Sequence, residues 1–364
     1  MVWTVDRTGE VVFWGGVSGL LAALLHTLGI YSCYVVFPVA WLLCAGTSLA
    51  LASFRVSSSG KAVVVTGCDS GFGHALALNL DQLGFRVFAG CLKADGEGAD
   101  HLRQEGSSRL HVLQMDVTNQ DQLDKAVQHV KHLLPDGEVL WGLVNNAGVS
   151  AFGEVEWVSL DTFRQVTEIN VFGLISATKS FLPLLRRARG RVVNMSSVAG
   201  SMGREMMAPY TLTKFAIEGF SNCLRQEARA WGMSVSVVQP GNFSAATSIT
   251  TEEAVALQGT KMWATMSEDA RADCGKEYFD SVVRAVQINA TSGQGDMGPV
   301  LCALTEALTQ RFPRVRYRVV DAYYFLKLQA AIHLPEWLFD LLYNANRPPR
   351  QLQQQNTRLG RELD

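Results

Sequence analysis

The sequence predicts an α/β protein, a doubly wound parallel sheet with an N-terminal membrane segment. Three observations lead there. Short β-branched runs alternate with segments of helical period from residue 61 to residue 240, a glycine-rich turn joins the first such strand to the first helix, and residues 11–54 contain no Asp, Glu, Lys or Arg. At 364 residues the chain accommodates one doubly wound domain of about 250 residues with appendages. A formal charge of −2 and the lack of a long basic run argue against a nucleic-acid partner. Seven cysteines show neither a CxxC pair nor zinc-like spacing, so neither disulfides nor a metal are expected.

A bilayer crossing takes about 20 apolar residues. Residues 11–54 therefore hold one long or two short spans, with a break between 29 and 38 marked by Gly29, Ser32 and Pro38. The stretch is longer than a secretory leader and lacks the arginines of a mitochondrial presequence, so a membrane anchor is expected. A polar N-terminus (1–10) precedes it, and a linker (55–60) containing Ser57-Ser58-Ser59-Gly60 joins it to a catalytic domain over 61–298. Residues 299–343 read as a substrate lid or membrane-interface region, on account of Tyr323, Tyr324, Phe325, Trp337, Phe339 and Tyr343. Residues 344–364, rich in Gln, Arg and Asn, read as a disordered tail.

Within the catalytic domain, Ala62-Val63-Val64-Val65 suits a buried parallel strand and residues 74–83 recur apolar at helical spacing. Between them stands Thr66-Gly67-Cys68-Asp69-Ser70-Gly71-Phe72-Gly73. Such a turn needs positive φ at one glycine, a bare backbone at another and close helix–strand packing at a third, and the unpaired amides of the following helix face a pyrophosphate. It points to a dinucleotide. Further strands fall at 85–92, at 108–115 before Asp116, at 140–144 before Asn145-Asn146-Ala147-Gly148, at 191–195, and at 234–238 before Pro240-Gly241. Helices fall at 121–134, 160–185 and 209–231. Repeated βα order gives a parallel sheet with helices on both faces and ligands at the strands' carboxyl ends, where all of these motifs lie.

Tyr210 and Lys214, four residues apart on a helix, share a face, and Ser197 follows the fifth strand. A neighbouring ammonium stabilises a phenolate and draws its pKa down, which makes Tyr210 a usable acid or base. In alcohol oxidation Tyr210 takes the hydroxyl proton, Ser197 donates to the substrate oxygen, and Lys214 holds a nicotinamide ribose.

In combination these segments resemble the short-chain dehydrogenase/reductase family over roughly residues 60–250. The resemblance implies a Rossmann-type sheet, a cofactor turn at Gly67, Gly71 and Gly73 with Phe72 between, an adenine contact at Asp116, and cofactor contacts at Asn145, Ala147, Gly148, Pro240 and Gly241. It implies Asn170, Ser197, Tyr210 and Lys214 as the catalytic set, with Asn170 holding a water in a proton relay through Lys214. The family's nicotinamide-binding Thr has no counterpart at Ala245, and the first Thr is Thr247. The second strand ends Gly90-Cys91-Leu92-Lys93 without an acid, yet Asp69 in the turn disfavours a 2′-phosphate, so NAD is the expected cofactor.

The chain is similar to the membrane-associated branch of that family, which oxidises hydroxybutyrate, hydroxysteroids or retinol. Gly153-Glu154-Val155-Glu156, Tyr210-Thr211-Leu212-Thr213-Lys214-Phe215 and Lys276-Glu277-Tyr278-Phe279-Asp280 are most similar to the hydroxybutyrate members. That resemblance implies a small-molecule alcohol substrate touching Ser197 and Tyr210, a membrane-lipid partner, a homodimer or homotetramer, and a mitochondrial membrane. The N-terminal anchor is more like that of the steroid enzymes and implies the endoplasmic reticulum as the alternative. A hydroxy acid needs a cation for its carboxylate, for which Arg204 is the candidate. A steroid or retinoid needs instead an apolar cleft, which Met202, Met206 and Met207 could line.

Overall fold

The computed structural model describes residues 4–247, 249–290 and 292–343, so the expected tail at 344–364 lies outside the described residues. The chain runs α1 (Val5–Thr27), α2 (Cys33–Ser53), β1 (Lys61–Thr66), α3 (Gly71–Gln82), β2 (Arg86–Cys91), α4 (Glu97–Glu105), β3 (Leu110–Gln114), α5 (Gln120–Leu133) and β4 (Val139–Asn145). It continues through α6 (Leu160–Thr167), α7 (Leu174–Ala188), β5 (Arg191–Met195), α8 (Ala208–Arg229), β6 (Ser234–Pro240), α9 (Glu252–Thr265), α10 (Glu268–Cys274), α11 (Lys276–Ala290) and α12 (Gly298–Thr309). The final elements are β7 (Arg316–Val319), α13 (Ala322–His333) and α14 (Glu336–Tyr343).

The strands form a parallel sheet of order β3-β2-β1-β4-β5-β6-β7. Period-two alternation sorts β1 between two cores. Val63 and Val65 face α3, α4 and α12 through Leu76, Leu102 and Leu304, while Ala62 and Val64 face α5, α7 and α8 through Leu123, Phe181 and Leu224. A third cluster, built from Trp157, Val255, Met262 and Phe279, forms a lobe over the carboxyl end of the sheet.

Three sequence expectations about the fold need revision. The helix expected over 160–185 is broken by a π-helical turn, Glu168–Gly173. There Asn170 turns inward and both accepts from and donates to the backbone of Val149, at 2.8 and 2.9 Å. The domain boundary expected at 298 is also misplaced. Val300, Leu304 and Leu308 of α12 are fully buried against the sheet, and β7 pairs with β6 from Val237↔Arg316 to Pro240↔Val319. Of the described residues 299–343, α13 and α14 follow this body and expose Tyr323, Leu326, Trp337 and Leu341.

The helices α1 and α2 pack against each other, with Trp41 donating to the Val11 carbonyl at 2.9 Å, and are candidate membrane segments. At about 1.5 Å per residue each is about 30 Å long, the thickness of a bilayer's hydrocarbon. Their leucines, such as Leu20, Leu24, Leu42 and Leu43, are exposed. The polar residues 4–10, expected to stand apart from the anchor, are instead its first turns and root it in the sheet. Arg7 is 1% exposed and meets Glu306 of α12 at 2.6 Å, Glu10 meets Arg314 at 2.7 Å, and Asp6 accepts from the Arg318 amide at 2.7 Å.

Removing one partner of a buried ion pair leaves the other charge uncompensated, which costs more than the pair contributes. Arg7→Ala leaves Glu306 with the more exposed Arg55, at 3.1 Å, and is expected to lower stability by about 3 kcal/mol in denaturant unfolding of the detergent-solubilised chain. The double change Arg7→Met with Glu306→Gln should recover most of that loss.

Candidate active site

The strand order reverses beside β1, and the crevice there is closed by an interlock between the ends of β1 and β4. The buried Thr66 hydroxyl accepts from the amides of Asn146 and Ala147 at 3.1 and 3.0 Å, while Asn146 Nδ2 donates to the carbonyls of Thr66 and Gly67 at 2.9 and 3.0 Å. Gly67 has φ +69°, and a Cβ on it would lie 2.7 Å from Ala147 Cα. A Cβ on Gly73 would lie 2.3 Å from the Gly67 carbonyl oxygen. The first glycine thus makes the turn and the third lets α3 close on it. Ser70, before α3, makes no side-chain capping bond, which leaves the first-turn amides to face an anion.

A cavity of about 820 Å³ opens over this turn and runs to the lobe formed by α9 and α11. Of the residues expected to bind cofactor, Gly67, Asp69, Gly71, Phe72, Asp116, Ala147, Gly148, Tyr210, Pro240 and Gly241 line it. Gly73 lies behind the turn, where its role is packing. Asn145 does not line the cavity. It is buried, donating to Thr178 and Asn194 at 2.9 and 2.8 Å, because an inward-facing position on a central strand turns its side chain into the core; Asn146 takes the cavity position. Both Asp69 oxygens accept from backbone amides, of Leu92 and Lys93, each at 2.9 Å. This joins the turn to the end of β2 and fixes a carboxylate on the cavity wall, a charge that disfavours a 2′-phosphate there. The bare Gly67 backbone, the uncapped helix and the Asp69 carboxylate together fit a dinucleotide with an unmodified ribose.

The four expected catalytic residues converge. Tyr210 lines the cavity with Ser197, whose hydroxyl hydrogen-bonds Tyr210 and lies 3.4 Å from the Pro240 carbonyl. Lys214 is buried, donates to the Met195 carbonyl at 3.0 Å, and stands 5.2 Å from the Tyr210 ring centre. Asn170 connects to the same helix by donating to Thr213 Oγ1 at 3.1 Å, and Thr213 in turn donates to the Tyr210 carbonyl at 2.7 Å. The electrostatics differ from expectation. Burial pushes the Tyr210 phenol up to about 12 against the pull of Ser197, and burial draws Lys214 down to about 8 against the attraction of Glu218. Burial is the larger cause of both shifts, and the ammonium is hydrogen-bonded to the Met195 carbonyl.

Arg204 is exposed on the cavity wall and is the only Arg or Lys among the described lining residues. Met202, Met206 and Met207 lie beside it. Sequence reading missed Thr66, Asn146 and Thr213. A polar residue ending an otherwise β-branched run was the available signal for Thr66. Thr247, the first Thr after Pro240-Gly241, lines the cavity and packs its methyl 3.6 Å from where a Cβ on Gly71 would stand.

A parallel sheet of this order with Ser, Tyr and Lys beside a dinucleotide turn defines an oxidoreductase of the alcohol–ketone type. The short chain dehydrogenase family matches residues 61–256, and the chain belongs to that family. It is 48% identical over 290 residues to the mitochondrial D-beta-hydroxybutyrate dehydrogenase of Rattus norvegicus, an alignment covering 79% of this chain and 84% of that protein. It is 38% identical over 296 residues to retinol dehydrogenase 7 of Mus musculus, covering 80% and 90% respectively. A short chain dehydrogenase/reductase from Burkholderia phymatum, solved in complex with NAD, superposes with a TM-score of 0.64 at 23% identity, covering 81% of this chain and all of that one, and shares its fold.

Two outcomes follow from this geometry. Gly73→Ala drives a methyl into the Gly67 carbonyl, so cofactor affinity measured by fluorescence titration should fall at least about tenfold while far-UV circular dichroism is retained. A base whose pKa is raised exists as phenolate in a fraction that grows about tenfold per pH unit below that pKa. Alcohol oxidation should therefore accelerate with rising pH through the neutral and mildly alkaline range, and ketone reduction, which needs the protonated phenol, should not.

Proposed function

We propose that this protein is a membrane-anchored, NAD-dependent dehydrogenase that interconverts (R)-3-hydroxybutyrate and acetoacetate. Arg204 carries the reading: it is the one Arg or Lys among the described residues of the cavity wall, and a cation there is what a small carboxylate requires. The 48% identity to the rat hydroxybutyrate enzyme supports the same substrate. When bound, NAD supplies the hydride acceptor and a positive charge near the phenol. Gly67, Gly71 and the first-turn amides of α3 hold its pyrophosphate, Asp69 its adenosine ribose, and Lys214 its nicotinamide ribose. Tyr210 takes the substrate hydroxyl proton as the carbon–hydrogen electron pair departs as hydride, and Ser197 donates to the substrate oxygen throughout. Asn170 keeps the helix of Tyr210 and Lys214 in register through Thr213 and serves the proton relay.

A hydroxysteroid or retinol is the second reading, favoured by the methionines beside Arg204 and by the similarity to retinol dehydrogenase 7. In either case α1 and α2 cross a membrane as a hairpin, in mitochondria by similarity to the rat enzyme or in the endoplasmic reticulum if the substrate is a steroid. The exposed aromatics of α13 and α14 rest at the lipid interface. The exposed Leu160, Phe172, Leu212 and Phe215 pair with a second copy in a homodimer or homotetramer.

NADH formation by lipid-reconstituted protein distinguishes the readings, with (R)-3-hydroxybutyrate, a hydroxysteroid and retinol assayed in parallel. The hydroxy acid should turn over and Tyr210→Phe should lose about a thousandfold in kcat. Arg204→Ala should raise KM for the hydroxy acid about 10- to 100-fold, the equivalent of one charge-assisted hydrogen bond, with little change in kcat. Turnover of retinol or steroid alone, with Arg204→Ala silent, would move the assignment to the second reading.

A further inference from the structure

Two histidines, one on α3 and one on α4, meet behind the cofactor turn. His74 Nδ1 lies 3.1 Å from the Cys68 carbonyl oxygen, and its Nε2 lies 2.9 Å from His101 Nδ1. A carbonyl only accepts, so His74 carries its proton on Nδ1 and turns the Nε2 lone pair to His101, whose Nδ1 donates. Cys68 is fully buried inside the glycine-rich turn, and its amide donates to the Gly90 carbonyl of β2 at 2.9 Å. From the other side α4 rests on the next residue of the turn, since a Cβ on Gly98 would stand 2.0 Å from the Asp69 carbonyl oxygen. The Asp69 carboxylate in turn holds the amides of Leu92 and Lys93. The imidazole pair thus ties α3 to α4 around the segment that presents Gly67, Asp69 and Gly71 to the cavity, and neither ring lines the cavity itself.

We propose that His74 is a positioning residue for the cofactor turn, that His101 holds it there, and that a proton on His74 Nε2 loosens the turn and weakens NAD binding. The inference rests on this turn binding NAD and is independent of which alcohol is oxidised. A proton added to His101 Nε2 leaves the contact intact, because Nδ1 still donates. A proton on His74 Nε2 instead sets one N–H against another at 2.9 Å, and the rings must part. Burial holds the His74 ring below the ordinary histidine range; His101 adds to this, while the Cys68 carbonyl and Asp69 oppose it. The neutral, bonded ring therefore prevails at neutral pH, and its contribution is lost as pH falls through the lowered value. Charged groups on the other elements packed against α3 are engaged elsewhere. Arg86 of β2 meets Glu138 and His111 of β3, Lys61 of β1 lies over Trp141, and Glu306 of α12 meets Arg7 and Arg55. Burial keeps the thiols of Cys91 on β2 and Cys302 on α12 neutral. Asp81 of α3 itself accepts from Ser107, and on α4 Asp100 pairs with Arg103 while Glu97 stands one turn before His101.

The test is calorimetric titration of NAD into the detergent-solubilised full chain between about pH 7.5 and about pH 5, with far-UV circular dichroism confirming the fold at each pH. The dissociation constant of the unmodified chain should rise about fivefold or more on acidification. His74→Gln, whose amide still donates to Cys68 but does not titrate, should keep the neutral-pH affinity and lose the acid step. His74→Leu removes the donor and should bind NAD about five- to tenfold more weakly at every pH. His101→Ala, at an exposed position, leaves no N–H for the His74 proton to meet and should shrink the step. A merely structural role for the pair changes affinity without removing the step, so an acid step that persists in full in His74→Gln overturns the proposal. Full neutral-pH affinity in His74→Leu overturns the positioning role, and if that variant does not fold, an undiminished step in His101→Ala does so. Failure of the cofactor reading looks different: the unmodified chain then binds no NAD at about pH 7.5, whereas NAD binding with a flat pH profile overturns this inference alone.

Discussion

The structure depends on a topological constraint, the reversal of strand order between β1 and β4. Right-handed crossovers carry the chain outward from β1 to β3 and then back to β4, so the helices on either side diverge and leave a crevice at the carboxyl ends of the two central strands. That crevice is closed by backbone and two short polar side chains, because the adjoining turn and strand end are in contact. Thr66 and Asn146 supply the hydrogen bonds, and Gly67 and Gly73 supply the missing side chains. The cofactor turn and the brace of the sheet are therefore one object. The helix α8 follows β5, two places along the sheet from β1, which brings Tyr210 and Lys214 to the same edge.

Much of this was legible in the sequence because it is written in local rules. The glycines mark a turn through steric exclusion, the β-branched runs mark buried parallel strands, and the i, i+4 spacing of Tyr210 and Lys214 puts them on one face whatever surrounds them. What failed depends on contacts remote in the chain. Asn145 and Asn146 are adjacent and chemically identical, and only the pleat of β4 decides which enters the core. The sign of the Tyr210 shift is set by its burial, and the Lys214 ammonium is held by a carbonyl nineteen residues away on β5. The boundary at 298 follows from the aromatic residues between Tyr323 and Tyr343, which say nothing of the segment before them; Leu304 and Leu308 there are buried in the core. Arg204 was named from chemistry and the cavity includes it, but nothing local to its sequence distinguishes it from a solvated loop arginine.

Charge is distributed unevenly between these layers. The cavity carries few ionisable groups, whereas the ionic contacts that join the helices cluster behind it, on β7, α12 and the root of α1. Arg191, buried beneath the sheet, donates to the carbonyls of Ala307 and Gln310 and carries no carboxylate partner in that pair of contacts. Desolvation lowers its pKa to about 10, and it remains charged. The result is a hydrogen-bonded floor under α12 that apolar packing alone would not register, since carbonyl acceptors fix direction as well as distance.

The ion pairs at the root of α1 join residues about 300 positions apart: Arg7 with Glu306, Glu10 with Arg314 and Asp6 with Arg318. Ribosomal synthesis runs from the N-terminus at about 5–20 residues per second, so α1 and α2 emerge tens of seconds before β7. Arg7, Asp6 and Glu10 therefore stay without these partners until α12 and β7 have been made. Docking of β7 onto the root is then the closing event of biogenesis. A chain halted before residue 306 leaves the charged first turns of α1 without Glu306, Arg314 and Arg318.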